Sequence, residues 1–364
     1  MRFSVNKTEL QNALGVVLKG VANQNTDPVL AGVLIESLED KINFRTTNTV
    51  LSIQYETLAL VEEAGRAVVP CRLLNDIIKS LPDCAVQIEI ADGEAHIECD
   101  NSSFTIKTID AEEFPDFPHV EVDQQISIPF ELLSSMVRRV SRAVSRDESR
   151  KILTGILVSV ENGILSLVAT DSYRLAVTSH PIEGAEDFSA VISGTFMSDI
   201  TSLQAEGENV SLALADNQIV VECKGVVFIN RRIEGTYPPY KQLQPTGNTM
   251  KLEVSTADFT AAVKRAALMG ENNSSLKIKG DPDGGFMQIS AATLDVGSVV
   301  EQVNCSGTGE ETEIGFNCSY ILDGLASIGS KTLFFETNSS SKPGILRATG
   351  DEDFWYLVMP VRIM

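Results

Sequence analysis

Long apolar runs are missing from this chain. No stretch reaches the roughly 18 apolar residues that a membrane-spanning helix needs. Met1-Arg2-Phe3-Ser4-Val5-Asn6-Lys7 lacks the apolar core of a signal peptide. A soluble, cytoplasmic chain with no membrane partner is therefore expected. The six cysteines (Cys71, Cys84, Cys99, Cys223, Cys305 and Cys318) contain no Cys-x-x-Cys pair. Scattered in this way, they read as small buried hydrophobes. Histidine is scarce, with three residues. His119 and His180 lie beside prolines in expected loops, with no obvious nucleophile partner nearby in sequence. His96 and Cys99 are three apart on an alternating strand, so they point to opposite faces and share no metal. No Gly-x-Ser-x-Gly elbow occurs. Gly324-Leu325-Ala326-Ser327-Ile328-Gly329-Ser330-Lys331-Thr332 resembles a phosphate-binding loop, but Ser330 separates Gly329 from Lys331. The segment also ends a helix instead of opening one, so it reads as a helix C-cap. No catalytic residue, metal or cofactor emerges, and the chain does not read as an enzyme.

Positive charge is also in short supply. Lys and Arg total 29 against 50 Asp and Glu, for a net charge of −21. Such a balance argues against loose attraction to nucleic acid. Any contact with DNA must be local and made by basic residues set apart from the rest.

What the chain does contain is a repeat. Phe3-Ser4-Val5 leads to Leu10, Ile126-Ser127-Ile128 to Leu133, and Leu252-Glu253-Val254 to Phe259, at offsets of 123 and 126 residues. Alternating apolar residues predict a strand, and the spacing after a polar turn predicts a helix. A second strand–helix pattern recurs half a copy later. Val68-Val69-Pro70 leads to Asp76, Val191-Ile192-Ser193 to Asp199, and Ile314-Gly315-Phe316 to Asp323. Hairpin turns are expected at Asp92-Gly93, Asn162-Gly163 and Asp283-Gly284. Glu113-Phe114-Pro115-Asp116-Phe117-Pro118 and Tyr237-Pro238-Pro239-Tyr240, with Pro245, read as extended linkers. The chain (364 residues, 43% hydrophobic) thus reads as three tandem α+β domains, 1–122, 123–248 and 249–364. Each is an antiparallel sheet plus two covering helices. Sheets that continue edge to edge between copies would solve the exposed-edge problem.

One basic stripe stands out. Arg138, Arg142 and Arg146 are four apart on the expected first helix of the second copy, with Arg139 alongside. The segment from Arg138 to Lys151 carries +4, leaving −25 for the remainder. An isolated stripe is ordinarily a solvated, salt-bridged face; against this background it also suits a phosphate-facing surface. Arg72 and Lys79 in the first copy, and Lys264 and Arg265 in the third, sit on corresponding helices.

Four segments, in this order, carry a resemblance. They are Thr170-Asp171-Ser172-Tyr173-Arg174-Leu175-Ala176, Gly235-Thr236-Tyr237-Pro238-Pro239-Tyr240, Gly315-Phe316-Asn317-Cys318-Ser319-Tyr320 and Val358-Met359-Pro360-Val361-Arg362. Together they closely resemble the bacterial sliding clamp family, the β subunits of DNA polymerase III, over the whole chain. The resemblance implies a head-to-tail homodimeric ring that encircles double-stranded DNA without sequence preference. It implies a processivity factor with no catalysis of its own. It also implies a pocket that takes short clamp-binding peptides from the replicative polymerase, the clamp loader and repair proteins. Carried over by position, that pocket is Arg150, Leu153, Thr170, Ser172, Tyr173, Arg174, Leu175, Pro238, Gln242, Leu243, Asn317, Tyr320, Leu357, Val358, Met359, Pro360, Val361 and Arg362. Dimer contacts fall at Phe104 and Ile106 on one side, and at Leu268 and Met269 on the other. Gln24 stands where relatives often carry a DNA-contacting base. Thr195-Phe196-Met197-Ser198 lacks a lysine often found there. Tyr173 and Gln242 replace a histidine and an arginine, and Met364 extends the usual ending. The alternative is a peptide-docking scaffold that never encircles DNA.

Overall fold

The computed structural model describes residues 1–22, 27–122, 124–215, 217–244, 247–269, 275–293 and 297–362. Gln24, Pro245, Met364 and residue 123, the expected start of the second copy, lie outside the described residues.

Among the described residues, six α-helices each follow directly on a strand. Helix α1 (Lys7–Val17) follows Arg2–Asn6, α2 (Cys71–Ser80) follows Arg66–Pro70, and α3 (Phe130–Val140) follows Gln124–Pro129. Helix α4 (Gly194–Ile200) follows Phe188–Ser193, α5 (Thr256–Ala266) follows Met250–Ser255, and α6 (Cys318–Ser327) follows Thr312–Asn317. The expected two strand–helix units per copy are therefore present three times. Polar side chains at the junctions cap α1, α5 and α6, whereas α2 starts after Pro70 without a side-chain cap. The side chain of Asn6 accepts the backbone N–H groups of Thr8 and Glu9, and that of Asn317 accepts those of Ser319 and Tyr320. These bonds satisfy donors that a helix start otherwise leaves open. The buried stripes share one spacing. Leu10, Ala13, Leu14 and Val17 face the core from α1, as Phe259, Ala262, Val263 and Ala266 do from α5.

The contacts divide the chain into two compact units, residues 1–133 with 199–232, and residues 134–198 with 233–364. The first holds a five-stranded and an eight-stranded antiparallel sheet; the second holds one of twelve strands. In the eight-stranded sheet, Leu51–Leu58 of the first copy pairs with Val226–Arg231 of the second, with Phe228 opposite Ile53. In the twelve-stranded sheet, Arg174–Pro181 of the second copy pairs with Phe354–Val358 of the third, with Ala176 opposite Tyr356. Sheets do run on from copy to copy, as the edge argument expects. The central copy's strands are consequently shared between the two units.

Three expectations need correction. Cys84 and Cys99 are not separate thiols: they are joined, with Cα atoms 6.5 Å apart, because a hairpin strand returns Cys99 to the end of α2. His180 lies in the strand Arg174–Pro181, not in a loop, because its backbone pairs with Leu165. Asp92-Gly93 and Asn162-Gly163 make tight turns with positive φ at both residues. Asp283-Gly284 also turns a hairpin, within a longer turn over residues 282–285 in which Gly285 carries the positive φ. Finally, the stretch after Tyr237 is not wholly extended, since Tyr240–Leu243 forms a short 3-10 turn.

The Gly-rich segment at the end of α6 does end a helix, with Ile328 as C-cap. Its first glycine answers to packing. A Cβ on Gly324 would lie 2.6 Å from the Tyr356 ring and 2.8 Å from Leu346. Alanine ordinarily gains about 1 kcal/mol over glycine inside a helix. Here overpacking wins, and Gly324→Ala is expected to lower stability by about 1–3 kcal/mol. Gly329→Ala faces open space and is expected to change it by under about 0.5 kcal/mol. Equilibrium urea unfolding of both variants checks this, and equal effects would refute the packing account.

Candidate functional site

The hairpin between the strands Ile164–Thr170 and Arg174–Pro181 turns within three residues. Asp171 organises it. Its carboxylate accepts the backbone N–H of Tyr173 at 2.9 Å and of Arg174 at 3.0 Å. The Thr170 hydroxyl donates to the Arg174 carbonyl at 2.7 Å and accepts the Ser172 N–H at 3.1 Å. This bonding holds Ser172 at φ 79°, a conformation that side chains other than glycine's rarely adopt. Such strain persists only where neighbours over-determine it. Arg150 adds to the restraint, donating to the Ser172 hydroxyl at 2.9 Å and to the Asp171 carbonyl at 3.3 Å.

Arg174 itself is nearly buried, with 11% of its side chain exposed. It donates to Asp171 at 2.9 Å, to Asp323 on α6, and to the Tyr356 hydroxyl at 3.4 Å. Its guanidinium lies over the Tyr320 ring, 4.6 Å from the centroid. Burial opposes the charge, but Tyr356, Asp323 and Asp171 outweigh it and hold its pKa above the ordinary arginine value. Tyr320 is fixed from its other end, because the Asn317 cap starts its helix. Tyr173 stacks on Tyr320 with centroids 6.2 Å apart.

The end of the chain docks against this turn. Leu357 pairs with Leu175 and Val358 with Arg174. The Met359 N–H donates to the Tyr173 carbonyl at 2.8 Å, and the Val361 N–H to the Gly315 carbonyl at 2.9 Å. Leu357 and Val358 are 2% and 0% exposed. Each contributes about 1.5–3 kcal/mol by burial, more than the about 1–2 kcal/mol that ordering a residue's backbone costs. Residues 357–361 are therefore held in place.

Between tail, turn and linker lies a cavity of about 310 Å³. Thr170, Ser172, Arg174, Leu175, Pro238, Gln242, Leu243, Leu357 and Met359 line it. The size is at the small end of ligand clefts, about 300–1,000 Å³, and suits one or two apolar side chains. Leu243 and Met359 are 50% and 40% exposed at its rim. The other carried-over residues divide. Arg150, Tyr173, Asn317 and Tyr320 brace the turn and its neighbouring helix, as described. Leu153 and Val358 are buried core. Pro360 and Val361 are half-buried and Arg362 is exposed beyond the cavity. Sequence reasoning missed Pro239 and Tyr240, which also line the cavity. It missed Asp171 and Asp323 as the partners of Arg174 as well. Tyr240 falls in a segment that reads as a linker, and a linker gives no wall to a site; the aromatic–Pro–Pro–aromatic pattern is the available signal.

The basic stripe is broken in the fold. Helix α3 ends at Val140, a 3-10 turn follows over Ser141–Ala143, and Val144 is extended. The fourfold spacing therefore does not carry Arg146 on the same helix. The chain turns inward there, where Ala143 is buried and the Ser145 N–H donates to the Leu153 carbonyl. Arg139 pairs with Asp351 at 2.7 Å, and Arg142 with Asp323 at 3.4 Å. Arg138 and Arg146 are exposed and enter no ion pair among the described residues. Arg72, Lys79 and Lys264 are exposed on α2 and α5. Arg265 makes two bonds to Glu301, at 2.8 and 2.7 Å.

Phe104 and Ile106 lie on Ser102–Lys107, an edge strand of the five-stranded sheet. Phe104 is 37% exposed, whereas Ile106 is already buried at 9%. Leu268 is 73% exposed and, with Met269, lies in a 3-10 turn directly after α5. No group of three or more metal-ligating side chains occurs among the described residues. No helix among them is long and apolar enough to cross a membrane.

Known proteins match the chain from end to end. Residues 1–118 match the DNA polymerase III beta subunit, N-terminal domain, residues 127–239 its central domain, and residues 241–362 its C-terminal domain. A beta sliding clamp of Bacillus subtilis is 29% identical, and one of Streptomyces coelicolor 31% identical, each match covering all of both chains. Among solved structures, the DNA polymerase sliding clamp from Bacillus subtilis has a TM-score of 0.94 at 29% identity. A sliding clamp from Pseudomonas aeruginosa has one of 0.95 at 26% identity, and both matches cover all of each chain. Three consecutive domain matches together span most of the chain, and the chain belongs to the DNA polymerase III beta subunit family.

Proposed function

We propose that two copies of this chain close head to tail into a ring around duplex DNA in the cytoplasm, and that the ring tethers the replicative polymerase. The observation that carries the reading is the end-to-end likeness to solved sliding clamps, at TM-scores of 0.94 and 0.95. Function is then topological. A threaded ring stays on DNA without tight contacts, so it slides, and it needs no chemistry of its own. Its three sequential domains are 1–122, 123–248 and 249–364. The contacting patches differ, Phe104 and Ile106 on one protomer and Leu268 and Met269 on the next, and such heterologous contacts close a ring when the rotation permits. Exposed Phe104 and Leu268 support that assignment.

Arg72, Lys79, Arg138, Arg139, Arg142, Arg146, Lys264 and Arg265 are the residues assigned to the DNA side. The ion pairs of Arg139, Arg142 and Arg265 weaken their share and shift it to Arg138, Arg146, Lys79 and Lys264. Weak, sequence-independent phosphate contacts of this kind permit sliding. Polymerase, clamp loader and repair proteins dock by a short peptide in the 310 Å³ cavity. Its apolar walls and exposed rim support this use, because such a cleft takes side-chain anchors.

Four outcomes test the reading. Sedimentation equilibrium should give a mass of two chains at micromolar concentration; a monomer there would count against the ring. Protein loaded on nicked circular DNA should remain bound until the circle is cut, and retention on linear DNA with free ends would sink the topological account. Arg138→Glu with Arg146→Glu should reduce loading and processivity several-fold without changing the thermal midpoint, a cleaner probe than Arg142, whose replacement by Glu would face Asp323. Deleting Met359–Met364 should abolish peptide binding by calorimetry while leaving the dimer intact, and undiminished peptide affinity would refute the cleft.

A further inference from the structure

Tyr240 is a wall between two cavities. On one side is the apolar cleft. On the other, a second cavity of about 400 Å³ is lined by Ser159, Ser166, Ser179, Glu352 and Asp353, among others, with Trp355 beneath. The two are strung along one antiparallel ladder. Leu175 pairs with Leu357, Val177 with Trp355, and the Ser179 N–H donates to the Asp353 carbonyl at 2.8 Å. Alternate residues of a strand share a face. One track therefore changes from Leu–Leu through Val–Trp to Ser–Asp. Four residues at about 3.3 Å each make it about 13 Å long, the reach of about four residues of extended peptide.

The far end of this track is acidic. Glu161 is occupied by Lys241, and Asp351 by Arg139. Glu352 and Asp353 are exposed and enter no ion pair among the described residues. The hydroxyls of Ser166 and Ser179 bond to each other at 3.0 Å, which leaves the cavity floor polar and uncharged.

We propose that a partner peptide anchored in the apolar cleft continues past Tyr240 and lays a lysine or arginine against Glu352 and Asp353. This rests on reading the first cleft as peptide-binding. The occupant is thus an extended segment whose apolar anchors stand about four residues from a basic flank. A glutamate in that place meets like charge, so the groove selects among partners that share the same anchors.

Fluorescence anisotropy with synthetic peptides and the full-length chain tests the proposal. A short probe carries only leucine and phenylalanine anchors. Longer probes add a four-residue extension with two lysines or two glutamates, at either end. At one end the lysine probe should bind about threefold to tenfold more tightly than the glutamate probe, and high salt should narrow the gap. Glu352→Lys with Asp353→Lys should invert the order while the short probe's Kd stays the same, and Glu352→Lys alone should move it part way. Binding of the short probe with no difference between lysine and glutamate extensions would overturn the groove. Failure of the short probe to bind at all would instead overturn the cleft on which it rests.

Discussion

Arg174 joins pieces of the protein that are far apart in sequence. It stands on a strand of the second copy, and it reaches Asp171 in its own turn, Asp323 on α6 and Tyr356 on the last strand. Removing one partner from a buried charge of this kind costs about 3–5 kcal/mol, because the remaining charge is stranded. The turn, the helix and the tail are therefore obliged to keep one geometry. That geometry sets the cavity, since Arg174 lines it, its strand neighbour Leu175 forms its floor, and the tail it braces supplies Leu357 and Met359. The same constraint reaches α6, where the Tyr356 ring leaves no room for a side chain on Gly324.

The repeat was legible because its signals are local. Strand alternation, a polar capping residue and helical spacing all act within about ten residues, and they recur at the same offsets. The four motif segments were legible as a set, and three of them meet in space around the cavity. Asp323 was not legible as a partner of Arg174, because a pair separated by 149 residues leaves no mark on local pattern, and Asp171, three residues away, becomes a partner only once the hairpin turn is formed. The end of α3 was misjudged for a related reason. Arg142 and Arg146 keep the helical spacing, but Ala143 and Ser145 are drawn into the core, and burial overrides the spacing. Cys84 and Cys99 look like scattered residues in one dimension and become neighbours only once the hairpin is folded.

Charge follows the same logic. Read along the chain, Arg138 to Lys151 is a block of +4 in an acidic background. Folded, three of its arginines face carboxylates: Arg139 with Asp351, Arg142 with Asp323, and Arg150 with Asp147. A basic run in sequence is therefore part surface and part scaffold. Arg142 and Arg174 share Asp323, which places one acid on both the basic segment and the cavity wall.

The shared sheets separate the covalent joints of this chain from its mechanical ones. Residues 113–118 connect the first two copies along the backbone, yet the ladder between Leu51–Leu58 and Val226–Arg231 connects them side by side. A protease that nicked the linker would cut the thread and leave the fabric whole. A single copy expressed alone would carry an intact linker stub and a bare strand edge, ready to pair with whatever chain it met first.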